Sequence, residues 1–329
     1  MPARSASASH LRQEYQFKMG VKEMKRLLSA FIGAAVLAAT MLPASAKDIT
    51  VGFAAANSGW PWYATFIKRI DSKAAEKGWK TLVLSANGDV PTQLSQIYDL
   101  VSKKVDYIVV GPIDGSAVIP GLKAAKTAGI PVVVIGNPVD KSGDEFVAAS
   151  RLPDDADLGR GSAELAVQAV GKGGTLVIVD GLPGQPAVTI RHAAMDKVWA
   201  ANDIKILGVQ PANWDSTLAA TVTEDLLTRF PDVKGVLSLD GAMTPGVLRS
   251  VEDAGFAGPV IGLGGTATEI QAIRAGKLYG TTCMSAGFNA DAAVQAVSDL
   301  VDGKTVKKLE MVASPKITRE NVDTCPGDW

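Results

Sequence analysis

Three aromatic side chains follow the first strand expected in this chain, and their types and spacing suit the binding of a small molecule. Residues 49–55 form an apolar run, ITVGFAA, and a polar turn leads from it to Trp60, Trp62 and Tyr63. Apolar residues at helical spacing follow, which predicts a strand, a loop that carries the rings, and a helix. Such loops form the ligand crevice of open α/β sheets. We therefore expect a stacking surface for a small ligand, with capping of the core by the two tryptophans as the alternative.

Composition and charge exclude several other classes of protein. The chain has 329 residues, enough for two domains with their own cores. Its formal net charge of −1 provides no basic field for nucleic acid or an anionic membrane. The two histidines, His10 and His192, make neither a His-rich metal site nor an easily assembled Ser–His–Asp triad. We expect no catalytic residues, no metal site and no cofactor.

The first residues carry the pattern of an export signal. A basic pair at 25–26 precedes an apolar run over 27–42, and an A-x-A cleavage pattern ends at Ala46. The apolar run is too short and too rich in Ala for a membrane span. We expect residues 1–46 to hold an upstream extension and a cleavable signal peptide, and the exported, soluble protein to begin at Lys47.

The use of cysteine agrees with export. Cys283 and Cys325 are the two cysteines of the chain, and disulfides persist in exported proteins. A bond between them would tie the tail to the strand that ends at Cys283. In the chain-entropy model it would stabilise the fold by roughly 4 kcal/mol. Two free buried thiols are the alternative, and we favour the bond.

Strand and helix patterns alternate after Lys47. Runs rich in Val and Ile, separated by helical patterns, indicate parallel strands buried on both faces. A second series begins with a strand over 145–150, followed by a turn and helix start over 151–155. We predict an α/β fold of two doubly wound parallel sheets with a seam near Ser150, a late helix over 289–300, and a tail of short strands and loops. Further predicted strands cover 81–86, 106–112, 130–137, 173–181 and 235–241.

The order of these segments resembles the sugar-binding, ribose-binding-like (type I) periplasmic proteins of ABC importers. The resemblance is collinear over essentially the whole mature chain. It rests on the export signal, Pro61-Trp62-Tyr63, and the segments 106–114 (DYIVVGPID), 129–134 (GIPVVV), 210–215 (QPANWD) and 226–233 (LLTRFPDV).

The resemblance implies a periplasmic, monomeric protein of two lobes joined by a three-strand hinge. The N-terminal lobe would comprise residues 47–150 plus 285–308, and the C-terminal lobe residues 151–284 plus 309–329. The lobes would close on a sugar or polyol by hinge motion and deliver it to the permease subunits of the importer. A chemoreceptor is a further partner that the sequence leaves open.

The resemblance also suggests residues for the ligand site. Trp62 and Tyr63 match paired aromatics that stack on a sugar ring, Trp214 matches an aromatic of the opposite lobe, and Arg191 matches an Arg that binds hydroxyls. Aromatic rings suit the C–H faces of a sugar, and Asp, Asn and Arg suit its hydroxyls. The full candidate set is Trp60, Trp62, Tyr63, Asn137, Arg191, Trp214, Asp215 and Asp240, with Asn57, Ser58, Asp114, Arg151 and Met284 as second choices. For Asp114, helix capping is the better interpretation, and for Asp240 it is the alternative.

The chain departs from the family pattern at several polar positions. Gly136-Asn137 replaces an Asp-Arg pair, Leu263-Gly264-Gly265 replaces Phe-Asp-Gly, and Met284 replaces a Gln. These departures argue against ribose itself and leave a non-sugar polar ligand as an alternative.

Two other classes of protein share single features with this chain. Residues 262–267 fit the G-x-G-x-x-A dinucleotide fingerprint, which would suit an NAD-dependent oxidoreductase, but no acidic residue ends the following strand. A sugar-responsive repressor would need a helix-turn-helix where this chain has an export signal.

Overall fold

The computed structural model describes residues 48–329, and the expected signal peptide lies outside them. The described part is an α/β fold with two parallel sheets. Its strands are β1 (Thr50–Ala55), β2 (Lys80–Ser85), β3 (Tyr107–Val110), β4 (Val132–Ile135), β5 (Ala149–Pro153), β6 (Thr175–Asp180), β7 (Lys205–Pro211), β8 (Gly235–Ser238), β9 (Val260–Ile261), β10 (Thr281–Thr282), β11 (Leu309–Val312) and β12 (Lys316–Ile317). Its helices are α1 (Pro61–Glu76), α2 (Val90–Ser102), α3 (Ile119–Thr127), α4 (Asp155–Val170), α5 (Pro186–Ala201), α6 (Ser216–Arg229), α7 (Thr244–Asp253), α8 (Ala267–Arg274) and α9 (Ala286–Val301).

The first sheet has the strand order β11-β5-β4-β3-β1-β2 with every pair parallel. The sequence of its centre explains the arrangement. All four residues of β4, VVVI, are buried, as are Ile108, Val109 and Val110 of β3. Strands covered on both faces need apolar side chains in both directions, and β-branched residues supply them.

The second sheet has the order β7-β6-β8-β9, again parallel. Bridges from Ile261 to Gly280 and from Gly264 to Cys283 bring the chain before and after β10 alongside β9. Strand β10 then pairs in antiparallel fashion with β12, so the tail closes this edge.

The chain passes between the two sheets at β5 and β11. These strands are parallel, with Leu309 opposite Ser150 and Val312 opposite Pro153. Helix α9 packs on α1 and against β4 and β5, although it follows the second sheet in sequence. The predicted seam therefore lies within a pair of hydrogen-bonded strands. The boundaries of the two lobes remain a prediction.

Two sequence-based expectations for local structure are wrong. Trp62 and Tyr63 lie in the first turn of α1 rather than on a loop, because Pro61 is pre-set for the first helical position. Residues 141–146 form a 3-10 helix instead of the start of a strand, since the carboxylate of Asp140 accepts from Ser142 N and turns the chain. Strand β5 instead continues through Pro153, beyond the predicted turn, because β4 and β11 pair with it on both sides.

The predicted disulfide is present. Cys283 and Cys325 are bonded and both are buried. The bond joins the end of β10 to a tail of short strands, loops and a 3-10 helix (Val322–Thr324), as expected. Among residues 48–329, no helix is both long enough and apolar enough to cross a membrane.

Candidate functional site

A cleft lies between the two sheets, at the carboxyl ends of β1, β4, β6 and β8. It encloses about 590 Å³ of space that opens to solvent. Switch points at the carboxyl ends of parallel strands are the usual place for small-molecule sites.

The first wall of the cleft is aromatic. Trp60, Trp62 and Tyr63 line it, and the last two are only 7% and 6% exposed. The Trp62 ring stacks on Phe66 with centroids 5.2 Å apart and meets Tyr63 edge-on at 5.1 Å. Trp62 and Tyr63 are thus each packed against another ring of α1. Asn137 completes this side, and its Nδ2 donates to the carbonyl of Pro112 at 2.8 Å.

The opposite wall carries Trp214, which the loop after β7 supplies. Its Nε1 donates to Oε1 of Gln185 at 3.0 Å. The guanidinium carbon of Arg191 lies 5.9 Å from the centre of the Trp214 ring, a cation–π contact. Three cleft residues from α5, its N-cap and the β7 loop therefore hold one another in place.

Arg191 lies at the centre of a buried charge cluster. Its Nε donates to Oδ1 of Asp155 at 2.8 Å, and one of its terminal nitrogens lies 3.7 Å from Oδ2 of Asp240. That nitrogen also donates to the carbonyl of Leu239 at 3.0 Å, and the other lies 3.5 Å from the sulfur of Met284. One cation thus faces two carboxylates, all three groups buried.

The pKa values of nearby groups reflect this burial. Loss of solvent raises the pKa of Asp155, and the Arg191 charge opposes the rise. Burial raises the pKa of Asp240 to about 6, again opposed by Arg191 and by the amide of Ala242. The pKa of the Tyr63 hydroxyl is raised as well, first by burial and then by the charge of Asp155.

Three buried polar atoms of cleft residues have no hydrogen-bond partner among the described residues. They are Nε1 of Trp62, the hydroxyl of Tyr63 and Nε2 of Gln185. Burying such an atom unpaired costs about 1–3 kcal/mol, so each calls for an explanation. Hydroxyl groups of a bound ligand would supply partners for them.

The structure brings most of the predicted site residues together and leaves five outside the cleft lining. Asp215 is exposed and caps α6, with Leu218 N donating to its carboxylate at 2.7 Å. Asp114 caps the turn before α3, as the preferred interpretation of the sequence held. Asn57 accepts from Gly59 N within its turn, Ser58 N donates to Ser85 Oγ, and Arg151 donates to the backbone carbonyls of Ser150 and Lys307.

Three polar or aromatic residues of the cleft lining are not among the candidates from the sequence. Asp155 and Gln185 are buried beside Arg191 and Trp214, and Trp329 reaches the cleft from the tail. The Asp154-Asp155 pair at a helix start pointed to capping, and only Asp154 caps the helix. Gln185 could have been found from its position directly before Pro186, which marks the start of a helix. Trp329 could have been found from the predicted disulfide, which brings the tail to the end of β10.

The glycine-rich motif before α8 does not provide a phosphate site. In dinucleotide sites, free backbone amides at the helix start hold the pyrophosphate. Here Gly265 N and Thr266 N donate to the buried carboxylate of Glu269, at 2.6 and 3.2 Å, and Ala267 N donates to the carbonyl of Trp329 at 3.1 Å. These three amides already have hydrogen-bond acceptors within the protein and are not free to bind a phosphate. The motif instead caps the start of α8. Among residues 48–329, no group of three or more His, Cys, Asp or Glu could hold a metal ion.

Comparison with known proteins gives a consistent result. Residues 51–305 match the model of the family described as periplasmic binding protein domain. The ribose import binding protein of Bacillus subtilis (strain 168) is 28% identical over 262 residues, covering 80% of this chain and 85% of that protein. The xylitol-binding protein of Mycolicibacterium smegmatis is 30% identical over 242 residues, covering 73% of this chain and 68% of that protein.

Solved structures share the fold. A solute-binding protein from Bacillus halodurans with bound myo-inositol has a TM-score of 0.80 at 20% identity, covering 87% of this chain and all of that one. A periplasmic protein from Actinobacillus succinogenes with bound D-allose has a TM-score of 0.79 at 24% identity, covering 84% of this chain and 100% of that one. The two-lobed type I architecture expected from the sequence is therefore confirmed.

Proposed function

Because this chain belongs to the periplasmic binding protein family, we propose that it binds a small sugar or polyol in the cleft between two lobes. It acts as the solute-binding component of an ABC importer and performs no catalysis. The curated relatives named for ribose and for xylitol support this class of ligand.

The observation that carries the proposal is the combination of rings and unpartnered polar atoms in one cleft. Trp62, Tyr63 and Trp214 offer flat apolar surfaces to the C–H faces of a sugar. The indole nitrogen of Trp62, the hydroxyl of Tyr63 and the amide of Gln185 offer bonds to its hydroxyls. A site with buried polar groups of this kind rejects analogues that lack the matching hydroxyl.

The charge of the cleft favours an uncharged ligand. Asp155 and the carbonyl of Leu239 already accept from Arg191, and Asp240 lies beside it. An anionic ligand would have to displace these partners and approach two carboxyl groups. A polyhydroxyl compound can instead bond to the remaining oxygens of the cluster. Met284, which lies beside this cluster, has an apolar side chain that offers no bond to a sugar hydroxyl. A non-sugar polar compound is therefore the second candidate.

Delivery of the ligand follows from closure of the lobes around it. We propose lobes of residues 47–150 plus 285–308 and 151–284 plus 309–329, which close by hinge motion at β5 and β11. The closed form would dock, as a monomer, on the permease subunits, and a chemoreceptor is an additional candidate partner. Periplasmic location agrees with the family, and cleavage of a signal peptide after Ala46 is part of the proposal.

A thermal-shift screen of the protein from Lys47 tests this function. A ligand that binds the folded state raises the melting temperature by mass action. The panel contains pentoses, hexoses, deoxysugars and polyols, with amino acids and organic acids as a non-sugar set. Shifts with sugars or polyols, lost in Trp62→Ala and retained in Trp79→Ala, support the proposal. Shifts confined to the non-sugar set, or none in either set, contradict it.

A further inference from the structure

The segment Pro326–Trp329, called the tail segment below, enters the cleft from a part of the chain remote from its other walls. Trp329 lines the cleft together with Met284 and Asp240. Its side chain is half-buried, in contrast with the nearly enclosed rings of Trp62 and Tyr63. It is thus an aromatic ring of the cleft that keeps part of its surface available.

Several bonds hold the tail segment in this position. The disulfide fixes Cys325, directly before the segment, to Cys283, directly before Met284. The Asp328 carboxylate accepts from Ser285 Oγ at 2.7 Å and from Gly287 N at 2.8 Å, at the start of α9. The ring nitrogen of Trp329 donates to the carbonyl of Met284 at 2.9 Å, and its own carbonyl accepts from Ala267 N at 3.1 Å.

The strand end beneath the ring is shaped to receive it. Gly264 has φ +144°, and a Cβ atom there would lie 2.7 Å from Cζ2 of Trp329. A Cβ on Gly265 would lie 2.5 Å from Sγ of Cys325. A side chain at either position would force the Trp329 ring or the Cys325 sulfur to move. The two glycines therefore make room for the tryptophan and for the disulfide that holds it.

Gly264 and Met284 both lie against Trp329. The indole therefore covers the chain at both positions, and the tail segment forms part of the cleft lining there.

We propose that Trp329 is a ligand-contacting residue that determines specificity, and that the Cys283–Cys325 bond positions it. This inference rests on the function proposed above and specifies it. An indole beside a thioether favours a ligand with an apolar face, so the site selects deoxysugars over sugars with a hydroxyl at that point.

Isothermal titration of a defined panel tests the inference. The panel contains D-ribose, xylitol, D-allose, myo-inositol, D-galactose and its 6-deoxy form D-fucose, with L-glutamate and choline as non-sugars. The proteins are the wild type, Trp329→Ala, Trp329→Phe, the pair Cys283→Ala/Cys325→Ala, and the triple variant. Trp79→Ala, which removes an indole outside the cleft lining, is the matched control, and melting temperatures without ligand verify folding.

We expect Trp329→Ala to weaken binding of the preferred compound about tenfold and to reduce the preference for D-fucose over D-galactose. Trp329→Phe keeps most of that preference. Removal of the disulfide also weakens binding and lowers the preference for D-fucose. In the triple variant it causes little further loss of affinity beyond that of Trp329→Ala, because both changes act through one ring.

Three results overturn the inference while leaving the proposed function intact: unchanged affinity and preference in Trp329→Ala, equal effects in Trp79→Ala, or additive losses for ring and disulfide. If the wild type binds a non-sugar alone and Trp329→Ala weakens that binding, Trp329 is a ligand contact, but the proposed function and the sugar selectivity inferred from it both fail.

Discussion

Arg191 and Asp155 form a buried ion pair across the cleft floor, with Nε of the arginine 2.8 Å from Oδ1 of the aspartate. The pair joins α5 to the first residue of α4, close to the end of β5. The arginine therefore ties α5 to α4, while one of its terminal nitrogens lies beside Asp240.

Replacing Arg191 by Ala should reduce stability as well as ligand affinity. Removing one partner of a buried pair leaves an uncompensated charge, which costs about 3–5 kcal/mol. We expect a fall of that order in the free energy of unfolding, measured by urea denaturation at pH 7. The double variant Arg191→Ala/Asp155→Asn serves as the control and should recover part of the loss. If the double variant is no more stable than the single one, the pair does not carry this energy.

The sequence predicted the architecture well because its signals are local and repeated. Valine- and isoleucine-rich strands such as β3 and β4 can be recognised without knowing their neighbours. The strand expected over 145–150 was misplaced since its true extent depends on pairing with β11, whose residues lie about 160 positions later. A local pattern contains no information on such a partner.

The residues that line the cleft were predicted in part for the same reason. Aromatic residues soon after a strand, such as Trp62, predict a cleft because the carboxyl ends of parallel strands meet at one edge of the sheet in this fold class. Asp155 pairs with a residue 36 positions away, and Trp329 reaches the cleft through a disulfide that closes 42 positions. Asp215 illustrates the opposite error, a residue wrongly included in the candidate set. It directly follows a cleft residue, yet its side chain caps a helix outside the cleft lining.

Replacing Tyr63 by Phe should separate binding from stability. The hydroxyl is buried without a partner among the described residues, so its removal should leave the free energy of unfolding unchanged or raise it by up to about 1–3 kcal/mol. A ligand that bonds to this hydroxyl should bind about tenfold more weakly to the variant. Chemical denaturation and calorimetric titration measure the two effects. A clear loss of stability with unchanged affinity would show that the hydroxyl serves the fold alone.

Replacing Asp215 by Ala should reduce stability without affecting the ligand. The carboxylate accepts from Leu218 N at the start of α6, and loss of such a cap costs about 1 kcal/mol. Ligand affinity should equal that of the wild type because the side chain lies outside the cleft lining. Asp215→Asn, which keeps a capping oxygen, is the matched control and should retain most of the stability. A tenfold loss of affinity in both variants would return this residue to the ligand site.

Asp240 should make the protein less stable as the pH rises from 4 to 7. Burial raises its pKa from 3.8 to about 6, so between these values the folded state holds a proton that the unfolded state releases. The stabilisation from this group is complete below pH 3.8 and is lost as the pH rises through 6, a change of about 3 kcal/mol at most.

Asp240→Asn removes the titration and keeps an oxygen that can accept from Ala242 N. We therefore expect the variant to gain stability relative to the wild type across this range, as measured by urea denaturation at several pH values. Asp253→Asn, which changes an exposed residue at the end of α7, is the control. A stability difference between Asp240→Asn and the wild type that stays constant from pH 4 to 7 would contradict the raised pKa.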